Sequence, residues 1–185
     1  MNLRTVLFVL GILLSILGIA MLLPAIFQFY IGENSGNFLT SSFITIFVGV
    51  LLILSNLYSE KRLNLREAFI LTTSSWVGIA LFGSFPFFFS NLEMSFSDSL
   101  FESMSGITTT GSTVIANLDI TPKGILMWRA LLQWLGGIGV IVMAITILPF
   151  LGVGGMQLFQ IQSASASEKI LPKTKEISLK YFISM

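Results

Sequence analysis

Four stretches of this chain carry no charged residue: 5–32, 34–59, 68–92 and 130–167. Each exceeds the roughly 20 residues that an α-helix needs to cross about 30 Å of hydrocarbon. An ionised side chain at mid-bilayer costs about 3 kcal/mol or more, so the charged breaks between these stretches mark where the chain meets water. Four crossings are expected, over about 5–30, 39–58, 67–89 and 125–150. The first is read as an uncleaved helix, because its apolar core is longer than the roughly 7 to 15 residues of a signal peptide and no small-residue cleavage site follows it.

Composition narrows the class further. The chain is 54% hydrophobic and 10% charged, against about 25% charged for a soluble domain. It has no Cys and no His, which removes disulfides, thiolate metal sites and imidazole bases. No enzyme chemistry and no covalent cofactor are expected. The cations are scattered in short polar segments rather than massed on one face, so no nucleic-acid partner is expected and the bilayer is the surrounding medium.

Between the third and fourth crossings, residues 91–123 are too polar to form another. Ser97 or Ser99 is suited to cap a helix, with Asp98 and Glu102 in its first turns where acids favour the helix dipole. A short helix over about 97–106 is predicted, stopped by Gly106. Beyond it runs Ser105-Gly106-Ile107-Thr108-Thr109-Thr110-Gly111-Ser112-Thr113, expected in extended form. Such backbone sits at membrane depth only where protein or a water-filled cavity satisfies it. The implied geometry is a re-entrant loop, a half-helix that dips in and a strand that climbs back.

Charge bias tests this independently, because Lys and Arg concentrate on the cytoplasmic side. With a re-entrant loop, Arg4, Lys61, Arg62, Arg66, Lys169, Lys173, Lys175 and Lys180 share one face, leaving Lys123 and the border residue Arg129 on the other. A full crossing by the loop would move the last four lysines across and abolish the bias. The N-terminus is therefore expected inside. Glu33, Glu93, Asp98, Glu102 and Asp119 fall outside or near the mouth, and Glu102 and Asp119 are the candidate outer-mouth acids that concentrate cations.

A cation sheds its water only if several oxygens replace it, and a column of backbone carbonyls from Thr108, Thr109, Thr110 and Gly111 would supply them. Thr108 to Ser112 are the candidate ion-binding residues. Glycine at 111 keeps the lumen clear and permits φ values closed to other residues. The C-terminal end of the half-helix adds about half a negative charge facing the ion. By composition alone the run is an ordinary loop; its length, the charge bias and the half-helix together favour a filter. The glycines of Trp134-Leu135-Gly136-Gly137-Ile138-Gly139 read as helix-packing positions. Arg129 either snorkels to the interface or bonds carbonyls behind the filter. Phe85-Pro86-Phe87-Phe88-Phe89 reads as an interfacial anchor.

Three motifs in order carry a resemblance: Phe101 to Thr113, then Trp128-Arg129-Ala130-Leu131-Leu132-Gln133-Trp134-Leu135-Gly136-Gly137-Ile138-Gly139, then Pro149 to Phe159. They resemble the TrkH/TrkG branch of the Trk/Ktr/HKT potassium transporters over essentially the whole chain. The resemblance implies an all-α integral membrane fold with an N-terminal helix pair (1–62) and one K⁺-channel-like helix–pore loop–helix repeat (63–152), with its filter at 108–113. Residues 153–185 would be a cytoplasmic linker and the start of a truncated second repeat. It also implies K⁺ as transported ion, with the filter glycine at Gly111 and K⁺ coordinated at Thr109 and Thr110. Localisation in a bacterial inner membrane, a homodimer of the full-length protein and a TrkA-like cytosolic nucleotide-binding subunit follow from the same resemblance. Family members carry four repeats, and a closed ring of carbonyls needs all four. This chain has one, so it is expected to act with the missing repeats. The alternative is a non-conducting interaction or regulatory subunit that packs against a full-length transporter.

Overall fold

A computed structural model of the chain describes residues 3–57 and 65–151. The expected linker and second repeat at 153–185, the end of the Pro149 to Phe159 motif, and Lys61 and Arg62 lie outside the described residues. The chain divides into two units, Met1–Ile141 and Val142–Met185. Of the second, only the helical stretch to Leu151 is described.

Among the described residues all regular structure is helical. The order is α1 (Leu3–Ala20), α2 (Leu22–Ile31), α3 (Gly36–Ser55), α4 (Leu65–Gly83), α5 (Phe85–Phe88), α6 (Phe96–Ile107), a 3₁₀ turn at Leu118–Ile120, and α7 (Lys123–Leu151). Proline explains two of the breaks. Pro24 has no amide for the Ala20 carbonyl, and the chain interrupts its helix at Met21 between α1 and α2. Pro86 likewise leaves the Phe82 carbonyl without its amide, where α4 passes into α5. Among the described residues four apolar helical stretches are long enough to cross a membrane: Leu3–Ile31, Gly36–Ser55, Arg66–Phe88 and Lys123–Met143.

α1 and α3 pack through small residues that let the backbones approach. A methyl group on Gly11 would stand 2.7 Å from the Gly49 carbonyl oxygen, and Ser42 Oγ donates to the Gly18 carbonyl at 2.7 Å. This is the close packing that drives helix association where lipid removes the hydrophobic incentive. Large apolar side chains such as Phe43, Phe47, Ile26 and Ile16 point outward and remain exposed. The faces that carry them suit lipid rather than water.

The core joins α1, α3, α5, α6 and α7 through Leu14, Leu17, Met21, Phe38, Phe87, Ile107, Trp128 and Leu132. Phe87 is therefore core, while Phe88 and Phe89 are exposed, so the aromatic cluster is only partly available as an interfacial anchor. Trp128 is fully buried, stands edge-on to Phe38 with centroids 6.3 Å apart, and donates Nε1–H to the Gly83 carbonyl at 3.0 Å. That carbonyl is free because the Phe87 amide turns to Ser84 instead. Trp128→Phe keeps most of the packing and strands the buried carbonyl, so a loss of about 1–3 kcal/mol is expected. Thermal unfolding of the detergent-solubilised chain measures it.

Candidate ion-binding loop

α6 starts at an N-cap that sequence reading placed slightly too late. Ser95, rather than Ser97 or Ser99, caps the helix: Ser95 Oγ accepts the Asp98 amide at 3.1 Å, and the Ser95 amide donates to Asp98 Oδ2 at 3.3 Å. This reciprocal box leaves Ser97 exposed and turns Ser99 inward, where its hydroxyl donates to the Ser95 carbonyl. Ser95→Ala removes the cap, and about 1 kcal/mol of stability is expected to go with it. Denaturant or thermal unfolding, compared with Ser97→Ala as a neutral control, checks this.

Gly106 does not stop the helix, which runs on to Ile107. Glycine is required there for packing instead, since a methyl group on Gly106 would sit 3.0 Å from Leu132 Cβ on α7. Gly136 lies closer still: its missing side chain is occupied by the Ile107 carbonyl. Among the described residues Gly137 and Gly139 have nothing within 4 Å of such a methyl, so of the three only Gly136 packs against a described neighbour.

After Ile107 the chain reverses along the helix it has just left. The amides of Thr109, Thr110 and Gly111 return to the Gly106 and Ser105 carbonyls, at 2.9, 3.1 and 3.4 Å. Ser105 Oγ donates to the Ser112 carbonyl at 2.6 Å. Further on, Thr113 Oγ1 and the Val114 amide donate to Glu102 Oε2 at 3.1 and 3.0 Å. Residues 112 to 114 thus lie progressively nearer the start of α6, as a hairpin of helix and returning backbone requires.

The returning segment is not an extended strand. Thr108 is right-handed with φ −79°, Thr109 has φ +59°, and Gly111 has φ +77°. In a strand of uniform handedness successive carbonyls face opposite ways, and reversing the sign of φ at alternate residues removes that alternation. Residues 109–111 are exposed and Thr108 partly so. Among the described residues, the carbonyls of Thr108, Thr109, Thr110 and Gly111 accept no hydrogen bond. Ser112 differs, since its carbonyl is held by Ser105. As a carbonyl ligand it is the weakest of the five candidates.

The two acids part company. Glu102 is 1% exposed and does not face the outer solution. Its carboxylate sits behind the loop, with Oε1 ion-paired to Arg129 Nε and Oε2 holding Thr113 and Val114. The outer-mouth assignment for Glu102 is corrected accordingly. Among the described residues Arg129 bonds no filter carbonyl and meets the loop through that carboxylate. A buried carboxylate needs a counter-charge and donors, and α7 and the loop supply both. Asp119 is exposed and lines a cavity of about 800 Å³ with Glu33, Asn34, Asn37 and Lys123.

A family model described as TrkH, cation transport protein, matches residues 34–184. The chain belongs to the TrkH family. Members of that family are transporters, not enzymes, and with four membrane-length helices this TrkH-family chain is a multi-pass membrane protein. It is 38% identical to the Trk system potassium uptake protein TrkH of Halomonas elongata, over 95% of this chain and 37% of that protein. It is 33% identical to the potassium uptake protein TrkG of Escherichia coli, over 99% of this chain and 39% of the relative. The crystal structure of the potassium transporter TrkH from Vibrio parahaemolyticus superposes with a TM-score of 0.79 at 38% identity, covering 92% of this chain and 37% of that one. The TrkH-family chain therefore spans well under half the length of these relatives.

The Glu102–Arg129 pair and the Ser105 contact escaped sequence reading. One signal was present: Ser99, Glu102, Ser103 and Gly106 recur at helical spacing and form the buried face of α6, while Phe96, Phe101 and Met104 are exposed. A surface helix of a soluble protein does the reverse.

Proposed function

We propose that this chain supplies one of four filter segments of a K⁺ uptake pore in a bacterial inner membrane, with its N-terminus in the cytoplasm. The carrying observation is the run of four carbonyls at Thr108–Gly111, on exposed or partly exposed residues and unclaimed by any donor among the described residues, on backbone of alternating handedness. Carbonyl oxygens in such a run replace the hydration shell of a cation, and three more strands would close the ring. Thr109 and Thr110 provide the central K⁺ ligands. The outward apolar side chains of α6 give the remaining repeats a surface to cover. Asp119, at the outer mouth, concentrates cations. The complete transporter pairs as a homodimer and is governed by a TrkA-like nucleotide-binding subunit, as the family likeness suggests.

A K⁺-uptake-deficient cell tests this reading. The complete transporter, this chain joined to three further repeats, is expected to restore growth at low K⁺, and the 185-residue chain alone is not. If the complete transporter fails to carry K⁺ while the short chain alters a co-expressed intact relative, the interaction-subunit reading replaces it.

A further inference from the structure

We propose that Glu102 and Arg129 are positioning residues that set the ion preference of the filter without touching the ion. The inference rests on the filter reading above and extends it to residues behind the strand. Glu102 lies on the buried face of α6, and its carboxylate meets two elements at once. One oxygen takes the Thr113 hydroxyl and the Val114 amide, which directly follow the ion-binding run. The other is ion-paired with Arg129 on α7.

The Thr113 hydroxyl is engaged twice, because it also accepts the Ile115 amide at 3.0 Å. Residues 113 to 115 are thus anchored through one carboxylate, and Ser105 fixes Ser112 one residue earlier. The ion-binding run is tied to the C-terminal end of α6 through the amides of Thr109, Thr110 and Gly111, and its far end is fixed by this anchor. The carbonyls of Thr108 to Gly111 hold nothing among the described residues, so those amide ties and the anchor set their spacing. In a filter that selects K⁺ over the smaller Na⁺ by cavity size, the oxygens must resist closing on the smaller ion. The charge pair gives that resistance a direct route from α7 to the strand. Were the carboxylate needed only for folding, a neutral apolar pair of similar size would replace both residues at little cost.

That difference defines the experiment, made in the complete transporter. Glu102→Met with Arg129→Met removes both charges together and leaves Thr113 and Val114 without their acceptor. Membrane abundance and melting temperature are expected to stay near the parent, while the K⁺ to Na⁺ uptake ratio falls roughly tenfold, the change that about 1.4 kcal/mol of differential binding produces. A parental ratio in that folded double variant overturns the proposal. Should the double variant fail to reach the membrane, Glu102→Gln with Arg129→Met keeps an acceptor oxygen for Thr113 and Val114 but breaks the ionic link to α7, and it is expected to lower the ratio as well. A parental ratio in that folded variant also overturns the proposal. Gly111→Ala separates the two readings. Parental uptake and ratio in Gly111→Ala would defeat the filter itself, whereas an altered Gly111 variant beside an unaltered Glu102–Arg129 pair defeats the positioning role alone.

Discussion

Gly111→Ala in the complete transporter is expected to cut K⁺ uptake by an order of magnitude or more while the protein still reaches the membrane. Space is not the reason. A methyl group at Gly111 would find its nearest neighbour, Gln133 Nε2, at 3.7 Å, which is ordinary contact. The cost is conformational, since φ of +77° is a left-handed backbone that charges an L-residue roughly 1–2 kcal/mol. Relaxing that strain means returning φ to negative values, which ends the alternation of handedness along Thr108 to Gly111 and turns a carbonyl away from its neighbours. Thr109 already bears a positive φ with a β-branched side chain, so the segment has little tolerance left. Gly111→Arg, which adds bulk and positive charge to the lumen, is expected to abolish uptake. Initial rates of Rb⁺ or K⁺ uptake, normalised to protein in the membrane, measure both.

The second large effect is on folding. Gly136→Ala is expected to destabilise the chain by about 1–3 kcal/mol or more, because the added methyl occupies the position of the Ile107 carbonyl at the C-terminal end of α6. Backbone cannot step aside as a side-chain tip can, so α7 must shift away from α6. The same shift would move Leu132, which abuts Gly106 one turn earlier. Gly137→Ala, with nothing within 4 Å, is expected to stay within about 0.5 kcal/mol of the parent. Thermal melts of the three detergent-purified chains suffice, and equal melting temperatures for the two variants would contradict the packing described.

The contrast between Gly136 and Gly137 shows where sequence reading stops. Both belong to one run of small residues, and composition marks the run as a packing face without saying which glycine meets a neighbour. Membrane crossings are different, because the penalty for burying charge acts residue by residue and needs no knowledge of partners. The uncharged stretches therefore correspond to apolar helices of crossing length, with breaks at Pro24 and Pro86 that are equally local in origin. The polar loop is intermediate. Its short helix is legible from Ser and Asp near its start, but Ser95 with Asp98 and Ser99 with Glu102 share the capping-box spacing, and Glu102 is taken by Arg129 and the loop, so the box forms at Ser95. The shape of the returning segment is not legible, since its alternating handedness depends on amides folding back to Ser105 and Gly106. Glu102 is the clearest case. An acid beside a polar loop suggests the mouth of a pore, and only the approach of Arg129 on a distant helix makes burial affordable.

The most direct measurement is anomalous diffraction from crystals of the complete transporter equilibrated with Tl⁺ or Rb⁺ in place of K⁺. An ion peak is expected within coordination distance of the Thr109 and Thr110 carbonyls, on the side of the segment away from α6. A transporter that carries these ions at the parental rate yet shows no peak beside residues 108–111 would contradict the assignment of this segment as a filter strand.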